Sequence, residues 1–320
     1  METKFYSIKN TGVMKGFKLF ISVFCFLFVW TPLLGQDLEP RAITNLPVGT
    51  NFLLGSYAYT SGNILLDPSL PIDGLDARLN SFVFAYIRSI KFFGQSAKID
   101  AVLPYVFGDW NGEVVGLPDR FSQDGFGDLR IRLSFNFLNS PAMSVKEFAN
   151  YKPNAVSGFS VQVIIPTGKY NPNELVNLGS NRFAFKPQWG FAKSLDQWNI
   201  ETYASIWLFT NNNNYVNGNK LGQKPLYTFK FHLIRDLPNN MWISANIGYG
   251  IGGRVIVNDI DRDSKISAMR FGLHYAIPFN QHAFKIGYVS GIRFERGSDF
   301  DALTLTYQYR WNKSAKQLKN

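Results

Sequence analysis

Charged residues and long apolar runs are both scarce in this chain. Charged residues make up 18% of its 320 residues, whereas aromatic residues reach 16%. A helical membrane protein is excluded, because each helical span needs about 20 mostly apolar residues and the mean hydropathy is near zero. A transmembrane β-barrel is not excluded, because the alternation along its strands hides the apolar residues within an average composition.

Cysteine is nearly absent, and its one occurrence lies in the only continuous apolar run. Cys25 falls within 19–30, a run that four lysines precede and a small-residue stretch follows. This is the pattern of a secretory signal peptide, which we place at 1–36. A membrane anchor is the alternative, but the run is shorter than the roughly 20 residues of a span. Cleavage would leave a chain without thiols, which suits an oxidising compartment.

The net charge is positive, at +10 for the full chain. Removal of 1–36 takes away four lysines and one glutamate, so Lys+Arg falls from 33 to 29, Asp+Glu falls from 23 to 22, and the net charge becomes +7. A soluble protein this basic would suggest nucleic-acid binding. Export argues against that partner, and we expect no nucleic acid to bind.

Alternating apolar and polar residues recur along the rest of the chain. A period of two is the pattern of half-buried β-strands. An extended periplasmic lead-in over 37–50 is expected before the first strand. The predicted strands are 51–60, 80–92, 97–106, 129–138, 157–166, 183–192, 198–209, 225–235, 241–252, 266–277, 283–294 and 301–311.

The connections between these strands fall into a long class and a short class, which largely alternate. Outer-membrane barrels have short periplasmic turns and longer outer loops. We therefore predict one all-β domain over 37–311, a single antiparallel transmembrane β-barrel of about 12 strands, followed by a short basic tail over 312–320. A soluble β-sandwich is the alternative, although it would not usually show aromatic strand ends and two classes of loop.

Three connections carry recognisable local patterns. Ser144 and Glu147 have the spacing of a capping box, which predicts a short helix that Pro153 ends, with an irregular loop as the alternative. The asparagine run 211–214 is interpreted as a flexible surface loop. The acidic stretch 259–263 resembles half of a calcium loop but lacks the later glycine and glutamate, so it is interpreted as a solvated outer loop without metal.

Nearly all strand charges fall on one face of the predicted barrel. A cation at the midplane of the lipid face costs about 2–4 kcal/mol, so the charged face is assigned to the lumen. With nine Lys or Arg against two acids, the lumen is predicted to attract anionic amphiphiles such as fatty or aromatic carboxylates. The alternative is a structural lumen in which the cations pair with acids and nothing passes. The assigned residues are Lys98, Asp100, Arg130, Arg132, Lys186, Glu201, Lys230, His232, Arg270, His274, Lys285, Arg293 and Arg310.

The most distinctive stretch of the chain is 164–193. Its segments Ile165–Tyr170 (IPTGKY) and Asn177–Pro187 (NLGSNRFAFKP) resemble the outer-membrane protein family of the meta-pathway of phenol degradation. Residues 124–128 (DGFGD) and 40–49 (PRAITNLPVG) resemble that family more weakly. The resemblance implies a barrel of the class that includes fatty-acid and aromatic-hydrocarbon channels, a role in uptake of hydrophobic or aromatic compounds, and no catalytic residues.

Turn-forming residues dominate the loop between the two distinctive segments. We predict that this loop folds against the outer mouth of the barrel as a gate or clamp, with Lys186 just below it in the lumen. The gate candidates are Pro166, Gly168, Asn177, Gly179, Asn181 and Arg182.

The predicted function is passage of small hydrophobic or anionic aromatic compounds through the outer membrane into the periplasm. Outer-membrane lipid and the solute are the expected partners, and no cofactor or enzymatic activity is expected. A structural or adhesive barrel with a closed lumen is the first alternative. An outer-membrane hydrolase is the second, but its type needs a His–Ser pair on the outside of the wall, whereas His232 and His274 are assigned to the lumen.

Overall fold

The computed structural model describes residues 38–63, 72–114, 117–293 and 299–312. The predicted signal peptide over 1–36 lies outside these residues, as does the predicted tail apart from Asn312. The strands, in chain order, are β1 (Thr50–Asn63), β2 (Ile72–Phe92), β3 (Gln95–Val114), β4 (Leu117–Phe126), β5 (Leu129–Leu138), β6 (Ala155–Ile165), β7 (Ala184–Leu195), β8 (Trp198–Phe209), β9 (Asn212–Tyr215), β10 (Asn219–Gln223), β11 (Leu226–Asp236), β12 (Trp242–Gly252), β13 (Val255–Val257), β14 (Ile260–Asp261), β15 (Ile266–Phe279), β16 (His282–Arg293) and β17 (Asp299–Asn312).

Twelve of these strands form one closed antiparallel barrel. They are β1–β3, β5–β8, β11, β12 and β15–β17, and each pairs with its neighbours in that order. The barrel closes between β1 and β17, from Thr50 opposite Asn312 to Asn63 opposite Asp299. The predicted fold class and the predicted number of wall strands are therefore confirmed.

The outward face of the wall is apolar. Leu53, Phe84 and Leu273 alternate with lumen residues and expose 53%, 56% and 56% of their surfaces. At the periplasmic end, the rings of Tyr309 and Trp311 stack at 5.6 Å, as expected for an aromatic girdle at a membrane interface. Among the described residues, no helix is both long and apolar enough to cross a membrane.

The periplasmic connections are tight, apart from the one with the predicted helix. Phe92 pairs with Gln95, and the two residues between them, Phe93 and Gly94, both have positive φ angles of 46° and 79°, the geometry of a two-residue hairpin turn. The longer connection contains α1 (Val145–Phe148), whose capping box between Ser144 and Glu147 is present as predicted.

The outer ends hold more structure than the sequence predicted. β2 and β3 continue beyond the predicted spans, and β4 pairs with the outer half of β3. The strands β14, β13, β10 and β9 form a separate four-stranded sheet around Tyr215, Leu221, Val255 and Val257. The prediction of a flexible loop at 211–214 is thus wrong, because Asn212 is 1% exposed and begins β9.

Residues 38–49, called the N-terminal segment below, lie inside the barrel. Leu38, Ile43 and Asn45 are only 4%, 3% and 4% exposed. Their partners are lumen residues of many strands, as described in the next subsection. The prediction of a periplasmic lead-in is therefore wrong. The segment has no strand periodicity because its polar groups bond to the barrel wall rather than to a neighbouring strand.

Candidate functional site

Lumen side chains hold the N-terminal segment by its backbone. Lys98 Nζ donates to the carbonyl oxygens of Ala42 and Thr44, at 2.5 and 3.2 Å. Asn136 Nδ2 donates to the Ile43 carbonyl and to Asn45 Oδ1, both at 2.7 Å. Backbone carbonyls of the segment thus satisfy buried donors of the lumen, which would otherwise be costly to bury.

Arg41 anchors the segment to the opposite side of the lumen. Its backbone amide donates to Glu201 Oε2 at 2.7 Å, and its guanidinium pairs with Asp236. The guanidinium also lies 5.2 Å from the ring centroid of Trp242. Tyr203 donates its hydroxyl to the same Glu201 oxygen at 2.8 Å.

An apolar contact completes this anchoring. Ile43 packs with Val156 and Tyr203 in a buried cluster. Gly190 makes the contact possible, because a Cβ there would lie 2.7 Å from the Tyr203 ring and 3.2 Å from Ile43. The segment is therefore seated by close packing as well as by hydrogen bonds.

A cavity of about 260 Å³ lies between the N-terminal segment and the barrel wall, and its wall side is formed by β1–β3, β5, β12 and β15–β17. Its lining combines apolar side chains with ionic ones. The ionic residues are Glu39, Arg41, Lys98, Asp100, Arg132 and Lys285, which is four cations against two acids. This composition suits a small molecule that has an apolar body and a negative charge.

Several of the predicted lumen cations are paired. Arg132 Nε donates to Asp100 Oδ2 at 2.9 Å, and the side chains are 16% and 6% exposed. Lys285 Nζ lies 2.9 Å from Glu39 Oε1. The ion pairs that the alternative of a structural lumen predicts are thus present at these positions.

Other lumen cations lie against aromatic rings. Lys186 is 4.9 Å from the Trp207 ring and Lys230 is 5.1 Å from the Tyr203 ring. Arg270 is 4.6 Å from the ring of Phe300. Such contacts stabilise a desolvated cation electrostatically.

Two predicted lumen histidines share one asparagine. Asn246 Nδ2 donates to the Gly272 carbonyl at 2.9 Å, which fixes the amide orientation because a carbonyl can only accept. Asn246 Oδ1 then accepts from His232 Nδ1 at 2.6 Å, and Nδ2 donates to His274 Nδ1 at 2.9 Å. The two histidines therefore belong to one buried polar network of the lumen.

The remaining lumen candidates lie toward the ends of their strands. Arg130 is exposed on the lumen face of β5, beside Val102 of β3 and Ile164 of β6. Arg293 ends β16 opposite Ala268, and its side chain lies outside the described part of the structure. Arg310 donates to the Asn280 carbonyl at 3.2 Å, at the periplasmic rim.

Asp128 holds the outer loop 166–183 at both ends. Its carboxylate accepts from the Gly168 amide at 2.9 Å, and from the Ser180 amide and hydroxyl at 2.9 and 2.6 Å. Gly168 and Gly179 lie against each other, since a Cβ on Gly168 would be 2.8 Å from the Gly179 Cα. Pro166 follows β6 directly and begins the loop.

The other gate candidates bind within the loop or to the small outer sheet. Asn177 accepts from the Asn171 amide at 2.7 Å. Asn181 donates to Asn212 Oδ1 at 2.9 Å, and Arg182 donates to Gln223 Oε1 at 2.6 Å. The gate role of these residues stays a prediction.

A hydrophobic contact seats the loop on the barrel mouth. Val176 is buried with Ala77 of β2 and Trp110 of β3. Sequence reasoning missed Asp128, Asn136 and the N-terminal segment as site elements. Asp128 and the segment each carried a signal, because the DGFGD motif and residues 40–49 both resemble the family.

The acidic loop binds lysines. Asp259 and Asp261 pair with Lys220 and Lys224, and the hydrogen bond from Lys224 lowers the pKa of the Asp261 carboxyl. Over the described ranges, no group of three or more His, Cys, Asp or Glu side chains is placed to hold a metal ion.

The buried ion pair gives a stability prediction. Arg132→Met is expected to destabilise the barrel by about 3–5 kcal/mol, because it leaves Asp100 buried without its partner. The double variant R132M/D100L should recover most of that loss. Urea unfolding in detergent micelles measures both effects. Arg120→Met is the control, since its pair with Asp109 is 71% and 49% exposed and should cost less than about 1 kcal/mol.

Comparison with known protein families gives a match over most of the chain. The family model described as "Putative MetA-pathway of phenol degradation" matches residues 55–309. This match confirms the resemblance drawn from the loop motifs. No curated protein matches the chain.

Solved structures share the fold. The COG4313 outer membrane channel from Pseudomonas putida F1 has a TM-score of 0.73 at 16% identity, covering 86% of this chain and 100% of that chain. The CymD monoaromatic hydrocarbon channel has a TM-score of 0.43 at 8% identity, with coverages of 89% and 95%. A FadL homologue of Pseudomonas aeruginosa has a TM-score of 0.42 at 9% identity, with coverages of 87% and 95%. Only the first score is high enough to support the fold, which is that of an outer-membrane β-barrel.

Proposed function

Because the chain belongs to the family described as "Putative MetA-pathway of phenol degradation", we propose that it is an outer-membrane transport channel. Its proposed solutes are small hydrophobic or anionic aromatic compounds, which pass into the periplasm. Export by a cleaved signal peptide over 1–36 is part of the same proposal.

The cavity beside the N-terminal segment is the observation that carries this proposal. Its volume is about 260 Å³, and an apolar cavity of about 150 Å³ is enough to hold benzene. A solute with one aromatic ring therefore fits. Phe52, Leu54 and Ile87 offer an apolar surface to the ring, while Lys98 and Lys285 supply positive charge.

The charge of the cavity predicts the order of solute preference. Because cations outnumber acids in the lining, an aromatic carboxylate should enter faster than an aromatic amine of the same size. A neutral phenol should also enter, since the apolar lining binds its ring. Uptake of benzoate, phenol and benzylamine into proteoliposomes measures this order, with protein-free liposomes as the control. No uptake of any solute, or equal uptake of benzoate and benzylamine above the control, contradicts the proposal.

The closed structural barrel remains the second candidate, and the structure offers a specific observation for it. The N-terminal segment and the pairs Arg132–Asp100, Lys285–Glu39 and Arg41–Asp236 occupy the periplasmic half of the lumen. The two candidates differ in whether this segment moves. The absence of enzymatic activity also stays a prediction, and so does an adhesive role.

A further inference from the structure

One carboxylate of the N-terminal segment lies in the cavity itself. Glu39 lines the cavity and accepts from Lys285 Nζ at 2.9 Å. A carboxylate of the chain itself therefore occupies the position at Lys285 that the carboxylate of an anionic solute would take. Glu39 and Lys285 are separated by 246 positions in the chain, so this contact depends on the segment being folded into the lumen.

The Glu39–Lys285 pair is more accessible than the buried ion pair of the same cavity. The Glu39 and Lys285 side chains are 43% and 21% exposed, whereas Asp100 and Arg132 are 6% and 16% exposed. Exposed ion pairs are weak because water and salt compete for both charges. A solute carboxylate can therefore compete at Lys285 much more readily than at Arg132.

The backbone groups that follow Glu39 in the segment bind partners that are more buried than Lys285. The amide of Arg41 binds Glu201, which is 3% exposed. The carbonyl groups of Ala42 and Thr44 bind Lys98, which is 9% exposed. Displacement of the segment would accordingly begin at Glu39 and proceed inward.

Apolar residues surround the Lys285 end of the cavity. Pro278, Ala283 and Phe52 line it together with Glu39 and Lys285. An aromatic or short aliphatic body can rest on them while its carboxylate reaches Lys285. The chemical class that fits both features is a small monocarboxylate with an apolar body.

We propose that the Glu39 carboxylate occupies the binding position of the solute carboxylate, and that an incoming monocarboxylate displaces it from Lys285 and so releases the N-terminal segment. Lys285 is then the specificity-determining residue of the channel for anionic solutes. This inference rests on the proposed transport function. It adds the carboxylate subsite and the first step of opening.

Two variants, each of which removes one charge of the pair, test the subsite with benzoate as the probe. Glu39→Gln removes the competing charge, so benzoate should bind about two- to fivefold more tightly, as expected for the loss of an exposed ion pair. Lys285→Gln should weaken benzoate binding and remove the preference for benzoate over benzyl alcohol, its neutral counterpart. Titration calorimetry in detergent measures binding, and proteoliposome uptake measures passage.

Lys220→Gln is the matched control, because it removes the lysine of another exposed lysine–carboxylate pair, Lys220–Asp259 on the small outer sheet, outside the cavity lining. It should leave benzoate binding unchanged. A heat-dependent shift in gel mobility verifies that each variant is a folded barrel. Unchanged benzoate affinity in E39Q, or a retained preference for benzoate in K285Q, overturns the subsite. If benzoate affinity changes as expected in E39Q and K285Q, but neither these variants nor the parent protein pass benzoate into proteoliposomes, the carboxylate subsite is supported and the proposed transport function is contradicted.

Discussion

Cross-linking the N-terminal segment to the barrel wall is expected to abolish solute passage. Asn45 Oδ1 and Asn136 Nδ2 are 2.7 Å apart, so cysteines at these positions are within reach of a short thiol-specific cross-linker. The linked segment cannot leave the periplasmic half of the lumen, and the cavity then has no room to widen into a continuous path. Proteoliposome uptake of benzoate, before and after cross-linking, measures the loss.

The cross-linker can be specific for the two introduced cysteines, because Cys25 is the only cysteine of the chain and lies within the predicted signal peptide. The control pair is Ser205→Cys with Thr228→Cys, whose hydroxyl groups are hydrogen-bonded to each other on the neighbouring wall strands β8 and β11, outside the cavity lining. That link joins two strands that are already paired. Uptake should survive it, which separates an effect on the segment from a general effect of cross-linking in the lumen.

Loosening of the outer loop is the second large expected effect. Asp128→Asn replaces a carboxylate that accepts three hydrogen bonds from Gly168 and Ser180. Hydrogen bonds to a charged group contribute about 1.5–3 kcal/mol each, so the loop 166–183 should lose several kcal/mol of local stability. Limited proteolysis within this loop should become much faster, and if the loop is a gate, uptake should rise with it.

Asp124→Asn is the matched control for the loop. Asp124 belongs to the same DGFGD motif, but its carboxylate accepts from the Tyr105 hydroxyl at 3.1 Å rather than from the loop. The loop of the Asp124 variant should be cleaved at the same rate as the loop of the parent protein. Equal proteolysis of the Asp128 variant and the parent would show that Asp128 does not hold the loop. Faster proteolysis with unchanged uptake would show that the loop is a clamp and not a gate.

The strands were predictable because the lipid imposes one rule on every one of them. Each outward position must be apolar. Residues such as Leu133 and Phe135 on β5 therefore identify the lipid face before the pairing of the strands is known. The same rule placed Arg132 and Lys186 in the lumen. It failed at 107–128, where glycine and proline interrupt the alternation although β3 and β4 continue there.

The contacts of the lumen were not predictable, because they join positions that are distant in the chain. Glu39 reaches Lys285, and Asn136 reaches Ile43. No local pattern encodes such pairs, and the N-terminal segment carries no periodicity of its own. The outer asparagine run was misread for a related reason, since Asn212 is ordered by Tyr170 and Asn181 from another loop.

The central claim is that the N-terminal segment controls passage through the lumen, and current recording from the cross-linked protein tests it most directly. The Asn45→Cys/Asn136→Cys protein is linked with a reagent that contains a cleavable disulfide and is reconstituted into a planar bilayer with benzoate as the anion. We predict that the linked protein carries no benzoate current and that current appears in the same bilayer after reductant is added. Equal benzoate current before and after reduction would contradict the claim.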